Sequence, residues 1–497
     1  MATTEQTPGL AALGAPEHGS KLRNGALSLA GNVGLALASS APTASLALTL
    51  AAIVAASSYA SPLAIIVIAL PMLGIAAAFK YLNRSHVNCG ATYMWGARAI
   101  SPYYGFMVGW VILLAYVLGV ISVCLPVGSY LISLFTSGQS RLGAAVIGSV
   151  AVVAVTIVAY IGIKVAAWLQ WVLIAIEYAG LAVLTVFCLV AIFGHHAGSA
   201  HFTASWFSWK SLGGTSGFIA ASLVAVYMFS GWDTGIMVNE ETENPRETPG
   251  NAVMLSVAVL AIMYAFLTFA FQGAVPRGAL QANGANALSY IAQQVAGTAM
   301  AKYMILAVGL SAVGSTLATL VSGVREAFAM GSDGVLPRSL ARTHPRFKTP
   351  SVATLIIGAL AFIGIWLYIM GSSSVQNSFD TIVSVDGLLF ALFYAFTGIA
   401  MIAYFRRIAV TGWRSAAGLL VVPLVCTAFL VYIVWKSVPG LGGWGGSSLI
   451  SLYVMIGAGA LAMVYVRARK RTTFFDIRRE TFSPAVVPAA APAEETV

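Results

Sequence analysis

Long apolar runs recur along almost the whole chain, and they decide what it can fold into. They fall at about 27–57, 62–82, 103–136, 142–161, 165–193, 215–241, 251–272, 299–330, 350–370, 379–404, 414–436 and 447–467. A membrane-spanning helix needs about 20 such residues, so the runs predict an all-α integral membrane protein with twelve transmembrane helices. With 59% hydrophobic and only 8% charged residues, against the roughly 25% charged of an ordinary soluble domain, most of the chain must sit in lipid.

Charge then sets the orientation. Alternating the spans puts all but five of the 26 Lys and Arg on one side; the exceptions are Arg141, Lys210, Arg277, Lys302 and Lys436. By the positive-inside rule both termini are cytoplasmic, in a cell (inner or plasma) membrane. The net charge of +10 is thus a matter of topology, and no nucleic-acid partner is expected. Residues 1–20 lack the apolar core of a cleavable signal and read as a disordered tail. Four cysteines without CxxC spacing give no disulfide framework and no metal site. The histidines (His18, His86, His195, His196, His201, His344) lie in the tail or loops without paired ligand spacing on a helix. No P-loop is present, and no nucleophile–base set marks an enzyme.

Two runs carry interruptions. In the first, Ser39, Ser40 and Ala41 precede Pro42, which removes a backbone donor and clashes with the preceding turn. In the sixth, Val226–Pro249 (VYMFSGWDTGIMVNEETENPRETP) breaks at Ser230 and Gly231 and carries Asp233 at membrane depth. An intramembrane acid is expensive and marks a function by default. Non-helical backbone there is tolerated only where it lines a cavity or packs in protein. Breaks in spans 1 and 6 occupy matching positions if the first ten spans are two inverted repeats of five, which is how transporters build a midplane site.

The stretch MFSGWD with EETENPRETPGNAV resembles the Phe-x-Gly-acid element and the Glu-Glu-x-x-Asn-Pro-Arg signature of the amino acid, polyamine and organocation (APC) superfamily. The run GVREAFAMGSDGVLPRSLARTHPRFKTP, through Arg325, Asp333-Gly334, Pro337, His344-Pro345 and Thr349-Pro350, is similar to its cytoplasmic loop after span 8. CGATYMWGARAISPYYGFMVGW at 89–110 is similar to the start of span 3. The resemblance implies a five-plus-five inverted repeat with broken helices 1 and 6 plus two C-terminal helices, and secondary active transport by alternating access. The domains would then be a cytoplasmic tail at 1–23, a ten-helix transport core at 24–404, two added helices at 405–470 and a cytoplasmic tail at 471–497.

The expected site follows from both arguments. Half-helix ends expose unpaired N–H and C=O groups and partial charges, so N–H groups near Ser39, Ser40 and Ala41 can hold a carboxylate and carbonyls near Phe229 and Ser230 an ammonium. The resemblance places a gating aromatic at Tyr227 or Phe229, and adds Tyr116, Thr316 and Thr319 as pocket-lining positions. It puts Glu177, seven residues after Gln170, where many relatives carry a lysine; the reversed charge suits proton carriage or a cationic substrate. Asp233 matches an acid that the family links to gating and proton sensitivity. Asp386, with Asp380 nearer the start of its span, completes a set of intramembrane acids suited to proton coupling or cation binding.

The expected function is proton-coupled import of an amino acid or related amine or polyamine, by a monomer or weak homodimer without a cofactor. A proton-independent exchanger, and a receptor or channel on the same fold, are the alternatives. Sodium stays open because the span 8 hydroxyls can ligate a cation.

Overall fold

The computed structural model describes residues 22–134, 140–195, 198–212, 214–371, 375–469 and 472–480, without the side chains of 125–127, 133, 285 and 375–381. Most of both expected tails, His18, His196 and the Asp380 side chain therefore lie outside the described residues.

Every long element is a helix. In chain order they are α1 (Leu29–Ser39), α2 (Pro42–Ser57), α3 (Ser61–Ser85), α4 (Thr92–Ala99), α5 (Pro102–Ser133), α6 (Arg141–Ile161), α7 (Ile163–Phe193), α8 (Gly214–Met228), α9 (Thr234–Met237), α10 (Thr248–Ala274), α11 (Arg277–Ala282), α12 (Ala287–Ala296), α13 (Thr298–Ser332), α14 (Ser351–Gly371), α15 (Val375–Ala409), α16 (Trp413–Ala416), α17 (Val422–Ser437) and α18 (Ser447–Ala468). Among the described residues there is no strand, only an isolated bridge between Leu27 and Thr242. Ten stretches among the described residues are long and apolar enough to cross a membrane. The first, Leu29–Ser85, runs 57 residues through α1, α2 and α3, while Gly214–Met228 is apolar but shorter than a span.

Local chemistry sets the helix starts. Ser101 accepts from the Tyr104 N–H at 3.2 Å and Ser140 from the Gly143 N–H at 3.0 Å, each satisfying one orphan donor of a first turn. Pro102 follows Ser101 at a position where its missing N–H costs nothing.

Packing is tightest around α5, which runs along α13, α15 and α6. A Cβ on Gly128 would fall 2.1 Å from the Ala144 carbonyl oxygen of α6, so only glycine lets these backbones approach, as is usual between helices in lipid. Leu70, Trp168, Ile262 and Leu461 stand more than half exposed on the outside. Such an apolar exterior is costly in water and neutral against acyl chains, so the protein is a multi-pass membrane protein.

The ends pack more closely than expected. Leu22, inside the expected tail, is buried with Cys89, Phe328 and Ala329. At the other end Phe474 stacks on Tyr93 with centroids 4.9 Å apart. Glu480 meets Arg98 at 2.7 Å and His86 at 3.3 Å. The His86 hydrogen bond, helped by the Arg98 charge and opposed by partial burial, holds the Glu480 carboxyl down at about 2, below its ordinary 4.5. A group whose folded value is depressed stabilises the fold above its unfolded value and loses that contribution as pH falls through the folded one. The window here is about pH 4.5 down to 2, and solvent screening at this half-exposed pair keeps the contribution small. Glu480→Gln is therefore expected to speed limited proteolysis of the 472–480 segment at neutral pH while global unfolding stays within about 0.5 kcal/mol of the parent.

Candidate functional site

Both interruptions are real breaks, and they face each other. After Ser39 the chain turns through Ser40 and through Ala41, which takes the left-handed conformation at φ 43°, and restarts with Pro42 as the first residue of α2. In the second, α8 stops at Met228, Gly231 adopts φ 97°, and α9 is a single turn from Thr234. A Cβ on Gly231 would lie 2.8 Å from the Ser39 carbonyl, so the breaks are in backbone contact.

Hydroxyls tie them together. Thr234 donates to the Ser39 hydroxyl at 2.8 Å and Ser322 to Thr234 at 2.9 Å. Ser315 donates to the Ser39 carbonyl at 2.6 Å. The Ser40 carbonyl accepts from Ser45 at 2.8 Å and Tyr264 at 3.2 Å. The freed carbonyls of the first break are thus satisfied by side chains, as irregular backbone in a membrane requires.

A cavity lies along this contact. Ser39, Ser40, Ala41, Tyr227, Ser230, Gly231, Thr319 and Asp386 of the expected site all line it. Its free volume of about 30 Å³ is room for roughly one water molecule, so an organic molecule can occupy it only if the walls part. Asp386 is 2% exposed, and its Oδ1 has no hydrogen-bond partner among the described residues. Ser122 lies beside both Asp386 and Tyr227. No Lys, Arg or His is among the lining residues.

Asp233 sits behind the cavity wall. Its Oδ1 accepts from the Tyr394 hydroxyl at 2.7 Å, and its Oδ2 accepts from Tyr116. Tyr394 in turn accepts from the Gly231 N–H at 3.3 Å, which links the acid to the second break. Trp232 stacks on Tyr394 with centroids 5.1 Å apart and packs in the core.

The remaining expected residues fall outside the cavity. Phe229 turns its edge to Tyr264 at 5.4 Å, which leaves Tyr227 as the one of the two expected gating aromatics that lines the cavity. Thr316 donates to the Ala312 carbonyl at 2.8 Å and pairs with Cys124 at 3.2 Å. Glu177 is buried at the start of α2, where Thr43 donates to its Oε2 at 3.2 Å and Ser311 also hydrogen-bonds it. The backbone donors expected near Ser39–Ala41 are partly used: the Ala41 N–H goes to the Ala38 carbonyl at 3.0 Å and Pro42 has none.

Several participants escaped the sequence reading. Ser122, Ser315, Phe390 and Tyr394 belong to the site, and the last two follow Asp386 by four and eight residues, a helical spacing that places them on its face. Glu326, fully buried, has neither carboxyl oxygen hydrogen-bonded among the described residues. Its neighbour Arg325 turns away to Glu241, with Nε and Nη2 each 2.8 Å from the same oxygen. The signatures at 240–246 and 325–350 thus meet in space. His195 and His201 approach at 3.1 Å on an exposed loop, and no cluster of three or more metal-ligating side chains occurs among the described residues.

The family model described as amino acid permease matches residues 33–461, nearly the entire helical body. The chain belongs to the amino acid permease family. The resemblance drawn from those signatures is borne out, and the relatives are named as transporters and permeases rather than enzymes. An uncharacterized transporter of Mycobacterium tuberculosis (strain ATCC 25618 / H37Rv) is 28% identical over 302 residues, covering 58% of this chain and 63% of the relative. The branched-chain amino acid permease BcaP of Bacillus subtilis (strain 168) is 26% identical over 60% of this chain and 65% of its own length. The low-affinity putrescine importer PlaP of Escherichia coli (strain K12) is 25% identical over 66% of this chain and 69% of its own. The first two matches span less than two thirds of those relatives.

Proposed function

We propose that this family member is a secondary active transporter that imports an amino acid or related organic amine by alternating access, coupled to protons. The observation that carries the proposal is the cavity between two helix breaks with Asp386 among its lining residues. A transport site must hold its cargo away from both solutions, and a cavity this small does so only if the helices around it move.

Splitting Leu29–Ser85 at the turn before Ser61 and counting Gly214–Met237 as one broken helix yields the twelve-span layout. In it, residues 24–404 form the inverted-repeat core and α17 and α18 are the added pair, in keeping with their mostly exposed sides. Both termini are then cytoplasmic in the cell membrane, and the unit is a monomer or weak homodimer. Asp386 and Tyr227 with the hydroxyls of Ser39, Ser230 and Thr319 bind the cargo, and Asp233 and Glu177 take up and release the coupling proton. Asp233 is suited to this because its two phenol partners connect it to the second break, so its protonation and the geometry at Gly231 depend on one another. The span 8 hydroxyls leave room for sodium in place of the proton.

Accumulation of labelled substrate by proteoliposomes under an inward proton gradient tests the proposal. Glu177→Gln and Asp233→Asn should each abolish gradient-driven accumulation, and at least one should keep substrate exchange at equal pH. Accumulation that needs an internal counter-substrate and ignores the gradient would favour an exchanger. Unchanged gradient dependence in both variants would remove these acids from the mechanism.

A further inference from the structure

We infer that the cargo is an organic cation without a carboxylate, a primary amine or diamine, rather than an amino acid zwitterion. The inference rests on the cavity between the two breaks being the substrate site, and two independent observations carry it.

The first is the cation-binding end. Asp386 is buried, its Oδ1 is unpartnered among the described residues, and the cavity it lines has no basic side chain among its lining residues. Across from it a Cβ on Gly119 would lie 3.6 Å from Asp386 Oδ2 and 3.1 Å from the Thr319 methyl, so glycine keeps the approach to the carboxyl open. A buried carboxylate without a counter-charge is costly, and a ligand ammonium relieves that cost directly. Phe390, one turn on from Asp386, and Tyr227 line the same space, and aromatic rings attract an organic cation.

The second is the opposite end, where a zwitterion would need donors for its carboxylate. The start of α2 lies at the cavity, which Ala41 and Ala44 line, and its donors are largely committed. Pro42 has no N–H, the Ala41 N–H goes to the Ala38 carbonyl at 3.0 Å, and the Ala44 N–H goes to Ser311 at 3.3 Å. The Thr43 hydroxyl is given to Glu177 at 3.2 Å, so a carboxyl of the protein already stands where the helix dipole favours negative charge. A ligand carboxylate would find at most one free first-turn N–H there and would add a third acid to Asp386 and Glu177. An amine adds none.

Isothermal titration of the full-length protein in detergent at pH 7 tests this with two ligand pairs that each differ by one carboxylate: 1,5-diaminopentane against lysine, and 3-methylbutylamine against leucine. At least one amine should bind at least tenfold more tightly than its carboxylated parent. Asp386→Asn, checked by thermal unfolding, should weaken that amine by tenfold or more, and Asp386→Glu should weaken it less. Lysine or leucine binding as tightly as its amine overturns the inference and leaves the transport proposal standing. Failure of all four to bind overturns the inference and the assignment of the cavity together. A folded Asp386→Asn protein with undiminished amine affinity overturns the placement of the ammonium.

Discussion

Arg325→Met should lower the unfolding free energy by about 3–5 kcal/mol, because it leaves Glu241 as an uncompensated charge in a site closed to water. Both partners are 1% exposed, and the guanidinium places two nitrogens at 2.8 Å from one carboxylate oxygen. The arrangement reaches further than the pair. The Glu241 carbonyl accepts from the N–H groups of Ala26 and Leu27 at 2.7 and 3.0 Å, and the Cys89 N–H binds neighbouring Glu240 at 3.0 Å. Losing Arg325 therefore loosens the chain ahead of α1, the turn after α3 and the segment after α9 together. Chemical unfolding in detergent measures the loss, and the double variant Arg325→Met/Glu241→Met should recover most of it, since an apolar pair of similar volume restores the balance. A double variant no more stable than Arg325→Met would show that the charge interaction is not what the site depends on.

Gly231→Ala should weaken substrate binding at least tenfold. The residue sits at φ 97°, where an L side chain costs about 1–3 kcal/mol. Its Cβ would also fall 2.8 Å from the Ser39 carbonyl carbon and oxygen and 2.9 Å from the Ser39 hydroxyl. Two of those atoms are backbone, so the contact is relieved only by separating the two breaks, which moves Ser39, Ser230 and the Tyr394 hydroxyl bond. Gly25→Ala is the control. It has φ 62° with nothing within 4 Å of the added carbon, so it carries the conformational strain alone and should leave affinity unchanged.

The apolar runs gave the helices to within a few residues, because a membrane leaves the backbone no choice but helix over such lengths. Both breaks were equally legible: Pro42 removes a donor, and Gly231 beside Asp233 has no place in an uninterrupted span. Which acid lines the cavity was not legible. Glu177, Asp233 and Asp386 stand together as candidates in the sequence, whereas of the three Asp386 lines the cavity and Asp233 lies behind Tyr116 and Tyr394. The reason is physical. A helix apolar on every side carries little periodic signal of which face turns inward, so depth along a span can be read but azimuth cannot. The same holds for Phe229 and Tyr227, two residues apart and turned to different neighbours. Committed donors were also invisible, since the Ala41 N–H depends on a turn that only the left-handed conformation at that residue creates.

A structure determined with transported substrate bound is the most direct test of the account. It should show the ligand between Ser39 and Ser230, with its cationic group within about 3 Å of an Asp386 oxygen and the walls around Tyr227 and Phe390 moved outward to admit it. Ligand bound elsewhere, with the cavity between the breaks unchanged, would contradict it.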